Sequence, residues 1–262
     1  MIQVTNREDG IVEWALSAEP CNEIGSAMLE ALENALNNLD PAHCRALLIH
    51  STVRKGFCAG ADLNELYTGL VETSEEDAKG QITEFIDRIH QVMNRIDALP
   101  MTTVAAIHGV CFGGGFELAL TADIRVVDAT ARFCFPELRL GIVPGFGGIP
   151  RLNRDVGNAV VRDLLLTGRS LNAKKAAAIG LVSQQVNRGE ALEVARQVAL
   201  QATRFDSETT RRAKEFLKPI PHEELEREKR LFLDMIQQPV VRQGLKTFVE
   251  SSSVRPYLPG AA

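Results

Sequence analysis

Two glutamates twenty residues apart, Glu117 and Glu137, carry the most informative chemistry in this chain. Glu117 stands in VCFGGGFELAL (110–120), two residues after three glycines and among apolar neighbours. A buried ionised carboxylate without partners is very costly. Such a group either holds a partner such as water or has a raised pKa, and both properties suit acid–base work. Gly113, Gly114 and Gly115 sit where a strand turns into a helix. Glycine lets a ligand approach bare backbone. The first amides of a helix have no internal acceptor and lie at the positive end of its dipole. They suit an oxygen that carries, or acquires, negative charge. Two plainer readings stand beside this one. The glycines let a helix pack tightly on a strand, and Glu117 is a structural carboxylate bonded to nearby amides.

A second stretch, FCAGADL (57–63), repeats the pattern. A strand-like segment passes Ala59 and Gly60 and enters a helix at Leu63, with Asp62 as an ordinary N-cap and Glu65 completing a capping-box-like start. The functional donor here is the backbone N–H of Ala61, not a side chain. A third stretch, FPELRLGIVPGFGG (135–148), places Pro136 and Glu137 at a turn or helix start, where an acid is stabilised without a catalytic role. Gly145, Gly147 and Gly148 punctuate it. The conjunction matters more than any one piece: two amide-presenting turns and two carboxylates, all at strand ends or on the elements that follow.

The elements that must position these groups alternate. Strands are expected at 11–17, 46–51, 103–109, 124–128 and 181–186. Ile24, Met28, Leu32, Ala35, Leu36 and Leu39 form one helical face closed by Pro41. Residues 71–80 read as a polar, mobile connection. Ile82 to Leu99 then make a long amphipathic helix stopped by Pro100. Helices are also expected at about 157–167 and at 173–180, the latter stopped by Gly180. From about residue 190 the pattern is helical throughout: 190–204, 207–217, 222–236 and 239–250. This reads as an α/β core over 1–190 carrying the site, with a helical region over 191–262.

The composition is that of a soluble globular chain: 262 residues, 45% hydrophobic, 24% charged. A net charge of -5 disfavours broad nucleic-acid binding. The five cysteines (Cys21, Cys44, Cys58, Cys111, Cys134) form no CxxC pair and suit reduced, buried thiols. No metal set, signal peptide or membrane-length apolar run is read, so a cytoplasmic protein is expected.

FCAGADLNEL, HGVCFGGGFELAL and ARFCFPELRLGIVPGFGGIPRL together resemble the enoyl-CoA hydratase/isomerase, or crotonase, family. The resemblance runs from about residue 10 to about residue 250. It implies a spiral of repeated ββα units with a C-terminal α-helical trimerisation region, as homotrimer or homohexamer. It implies an acyl-CoA thioester as substrate, with no cofactor beyond the coenzyme A of the substrate itself. It maps an oxyanion hole onto the Ala61 and Gly114 amides and the two hydratase acids onto Glu117 and Glu137. Ala59, Gly60, Asp62, Leu63, Gly113, Pro136 and Gly145 fall at substrate-lining positions. The implied reaction is hydration of a 2-enoyl-CoA, or its reverse. Isomerisation, thioester hydrolysis and acyl-CoA binding without turnover are the alternatives. The chain departs from the family pattern at Cys21, Asn64 and Thr102, and near the C-terminus only Arg255 remains of the usual cations. Arg54 and Lys55 are the nearest replacement contacts for the CoA nucleotide, beside their plainer reading as solvated surface cations. Phe146 stands where a small residue is common, which implies a narrower acyl pocket or water position.

Overall fold

A computed structural model describes residues 1–251. Strands β1 (Ile2–Asn6) and β2 (Ile11–Leu16) form an antiparallel pair, and helix α1 (Ser26–Asn37) follows. Three ββα turns come next. The first holds β3 (Ala46–Ser51), β4 (Gly56–Cys58), α2 (Leu63–Glu72) and α3 (Glu75–Asp97). The second holds β5 (Thr102–Ile107), β6 (Val110–Phe112) and α4 (Gly114–Thr121). The third holds β7 (Ile124–Asp128), β8 (Arg132–Cys134), a 3-10 turn (Glu137–Leu140), α5 (Gly148–Val156) and α6 (Asn158–Thr167). β9 (Leu171–Asn172), α7 (Ala173–Ala178) and β10 (Gln184–Val186) close the core. Helices α8 (Ala191–Ala202), α9 (Ser207–Leu217), α10 (His222–Met235) and α11 (Pro239–Glu250) complete the described chain.

Each turn gives its first strand to one sheet and its second to another. The larger sheet runs β1-β2-β3-β5-β7-β10 and the smaller β4-β6-β8-β9. From β2 onward the larger sheet is parallel, and so are β4, β6 and β8. Its inner strands β2, β3, β5 and β7 are buried on both faces, which is why they read as mostly continuous apolar runs. In β3, Leu47 and Ile49 enter the main core, while Ala46 and Leu48 face the other way. Ala191, Ala195 and Ala199 of α8 recur at four-residue steps and lie against that second face. Phe116 of α4 packs on Phe133 and Phe135, ring centroids 5.0 and 4.7 Å away, and so ties the second turn to the third. Among the described residues no helix is long and apolar enough to cross a membrane.

One expectation needs correction, and two elements carry no sequence signal. Residues 71–80 are not a loose connection: α2 continues to Glu72, Ser74 caps α3, and the latter begins at Glu75. Its first turn is exposed and acidic, so it has helix-favouring charge but no apolar period to announce it. Nothing local announces helix α5, whose start lies in the glycine-rich passage and whose N-cap is Gly147. β1 was also unread; its side chains are exposed and lack the usual alternation.

Candidate active site

The site forms where the three short strands end. β4 leads into Ala61, β6 into Gly114, and β8 into Glu137. Gly60 O accepts from Ile24 N (2.8 Å), and Asp62 N donates to Ile24 O (3.2 Å). This parallel bridge brackets Ala61 and turns its own N–H away from Ile24. Asp62 caps α2, accepting from Asn64 N (3.1 Å) and Glu65 N (3.0 Å). Glu65 does not complete a capping box. Asp62 N is already given to Ile24 O, and the Glu65 carboxylate instead binds Ser26 N and Ser26 Oγ.

Gly113 adopts φ +48°, ψ -127°, a conformation open to glycine, and its carbonyl accepts from Phe116 N and Glu117 N. Gly114 N is then the next free amide of α4. A Cβ built on Gly114 would lie 3.5 Å from Ala61 N and 2.6 Å from the Phe146 ring. The two amides are therefore neighbours, and the Phe146 ring lies against one of them. Among the described residues neither amide donates to a protein acceptor. A Cβ on Gly113 would meet Glu137 Oε1 at 2.5 Å, whereas one on Gly115 would run into Cys58 O of β4. Gly113 and Gly114 thus lie against Glu137, Ala61 and Phe146, while Gly115 lets α4 pack closely on β4.

Glu117 is 2% exposed. Its Oε1 accepts from Phe146 N and Gly148 N, both at 2.8 Å. Burial pushes its carboxyl up to about 7, against the pull of those two amides and of Arg151. Glu137 Oε2 is buried and has no hydrogen-bond partner among the described residues. Burial first, and then the like charge of Glu117, hold the Glu137 carboxyl well above the usual range. Both acids line a cavity of about 490 Å³ together with Ala61 and Gly114. The same cavity takes in Ala59, Gly60, Asp62, Leu63, Gly113, Pro136 and Gly145. Its apolar arm comes from Ile82, Phe85, Ile86, Phe146 and Phe232, with Phe85 and Phe146 centroids 5.9 Å apart. Phe146 lines this space with its ring beside Gly114. Arg54 and Lys55 are exposed and do not line the cavity, and Arg255 lies outside the described residues.

Three buried groups around this site were missed in the sequence. His90 Nε2 lies 2.8 Å from Gly145 O, Arg151 donates to Phe146 O and Gly147 O, and Glu228 accepts from Gly147 N and Ile149 N. Glu228 left a trace: it lies between Leu225 and Phe232 on the buried face of α10, a charge on an apolar stripe. His90 lies likewise beside Ile86, Ile89 and Met93, and burial lowers its pKa to about 4.

Residues 6–255 match the family profile described as "Enoyl-CoA hydratase/isomerase". The chain belongs to the enoyl-CoA hydratase/isomerase family. A Bacillus subtilis (strain 168) protein named "Probable enoyl-CoA hydratase" is 34% identical over 237 residues, covering 88% of this chain and 89% of its own. "Probable enoyl-CoA hydratase 2, mitochondrial" of Arabidopsis thaliana is 37% identical over 76% of the chain, which spans only 64% of that relative. The crystal structure of enoyl-CoA hydratase from Bacillus anthracis superposes with a TM-score of 0.76 at 31% identity, over 95% of this chain and 96% of that one. A Bacillus halodurans enoyl-CoA hydratase structure, at 23% identity, shares the fold with a TM-score of 0.83 over 94% of this chain and 98% of its own. These enoyl-CoA hydratase/isomerase relatives carry the crotonase fold, and the spiral of ββα turns described above is that fold.

Proposed function

We propose that this family member is an enoyl-CoA hydratase, adding water across the 2,3 double bond of a 2-enoyl-CoA thioester or removing it in reverse. One observation carries the reading: two acids, Glu117 and Glu137, line the cavity beside two neighbouring amides that, like one buried Glu137 oxygen, have no partner among the described residues. In the proposed scheme the thioester oxygen accepts from Ala61 N and Gly114 N. A water lies between the two acids. Glu117 Oε2 takes a proton from it as its oxygen bonds to the β-carbon. The alkene electrons move to the thioester oxygen as an enolate, which the two amides stabilise. Donors of this kind are typically worth roughly 3–4 kcal/mol each in the transition state. Glu137 delivers its proton to the α-carbon, and the carbonyl re-forms. Glu117 ends protonated and Glu137 ionised, and proton exchange with solvent resets both. The scheme needs no cofactor. A homotrimer or homohexamer built through the helical region belongs to the same proposal, supported by the exposed Phe205, Phe216 and Leu217 there.

The test is loss of the conjugated-thioester absorbance of crotonyl-CoA. Wild type should turn over, and Glu117→Gln and Glu137→Gln should each lose roughly 10²–10⁴-fold in kcat. Full turnover by Glu117→Gln with none by Glu137→Gln would favour isomerisation instead. Tight acyl-CoA binding without turnover of any enoyl-CoA would point to a binding protein.

A further inference from the structure

The start of α5 cannot cap itself. Its N-cap, Gly147 at φ +96°, has no side chain to offer. Four successive amides there are taken by acids from two distant helices. Phe146 N and Gly148 N both donate to one oxygen of Glu117, from α4. Gly147 N (2.7 Å) and Ile149 N (2.8 Å) donate to the two separate oxygens of Glu228, from α10. The acids therefore alternate along one stretch of backbone. Each peptide plane is rigid, so moving Gly147 or Ile149 moves the Gly148 amide between them and the Phe146 amide just before. Glu228 is 5% exposed and does not line the cavity, so it has no path to a substrate.

We propose that Glu228 is a positioning residue for Glu117. By holding the Gly147 and Ile149 amides it holds the alternate amides on which Glu117 Oε1 rests, and so aims Glu117 Oε2 at the reacting water. This rests on the hydratase reading above. Placing two buried acids at one helix start is electrostatically expensive. The α5 dipole and Arg151, one turn into α5, offset part of that expense. Burial, then the like charge of Glu117, hold the Glu228 carboxyl well above its usual range. Side-chain volume alone would be met by an apolar residue between Leu225 and Phe232; the two amides need an acceptor with two oxygens.

That requirement makes glutamine a discriminating substitution. Glu117→Gln keeps its carbonyl oxygen for both Phe146 N and Gly148 N. Glu228→Gln has one carbonyl oxygen for two amides, and its NH2 faces an N–H donor. Crotonyl-CoA turnover would be measured for wild type, both single variants and the double variant. Calorimetric titration with butyryl-CoA would count competent sites in each. Glu228→Gln should bind butyryl-CoA at full stoichiometry while kcat falls on the order of 10–100-fold with KM nearly unchanged. The double variant should fall no further than Glu117→Gln alone, because the effect passes through Glu117. If Glu228→Gln is not recovered folded, Glu228→Asp, one methylene short of both amides, is read in the same way. Unchanged kcat at full stoichiometry would overturn the inference. So would a loss of kcat matched by a loss of sites, or additive losses in the double variant. A wild type that binds butyryl-CoA but hydrates no enoyl-CoA defeats the hydratase reading itself, a different result from either.

Discussion

Glu117 and Glu137 use their oxygens differently. Glu117 anchors one oxygen on two amides, while Glu137 leaves one buried oxygen unpaired among the described residues. A carboxyl whose folded pKa is about 7 favours folding while it is protonated. Its contribution is complete below the unfolded value of about 4.3 and is lost as pH rises through 7. Glu117→Gln should therefore gain on wild type in stability between pH 5 and pH 8, by on the order of 3 kcal/mol. Denaturant unfolding at the two pH values measures this, and an equal difference at both would contradict it. In hydration the same group must be ionised to accept a proton. The kcat of wild type should fall about tenfold per pH unit below 7; a flat profile from pH 5.5 to 7 would remove Glu117 as the base.

At the scale of elements, the caps separate what was legible from what was not. Asp62 announces α2 because its cap is local, three residues from its partner. The cap of α5 is borrowed from Glu117 and Glu228, 31 and 79 residues away along the chain, so nothing near Gly148 announces a helix. The long strands of the larger sheet and the faces of α1 and α3 were legible because burial repeats along them. β4, β6 and β8, at three residues each, are too short to show a period. Asp62→Ala should lower unfolding free energy by about 1 kcal/mol. It should also lower kcat/KM, because Asp62 follows the Ala61 amide directly. Asp206→Ala removes the N-cap of α9, which accepts from Thr209 N (2.8 Å), at a similar stability cost. Its turnover should be unchanged. Equal effects of the two substitutions on turnover would show that the Ala61 amide is not the sensitive point.

Over the whole molecule, the spiral brings together groups that lie far apart in the chain. Successive turns carry Ala61, Gly114 and Glu137 to the same side, and the third turn then returns its own amides to Glu117. The residues of this site could be picked out in the sequence because two glycine turns and two acids stand at strand ends. The brace behind it could not: His90, Arg151 and Glu228 acquire meaning only when α3, α5 and α10 pack around residues 145–149. In the proposed reaction the Ala61 and Gly114 amides converge on one thioester oxygen. Isotope-edited infrared spectroscopy of crotonyl-CoA bound to Glu117→Gln, where turnover is slow, reads that oxygen directly. The carbonyl band should shift to lower frequency than in solution, as two donors polarise the bond. A bound band at the solution frequency would contradict the account.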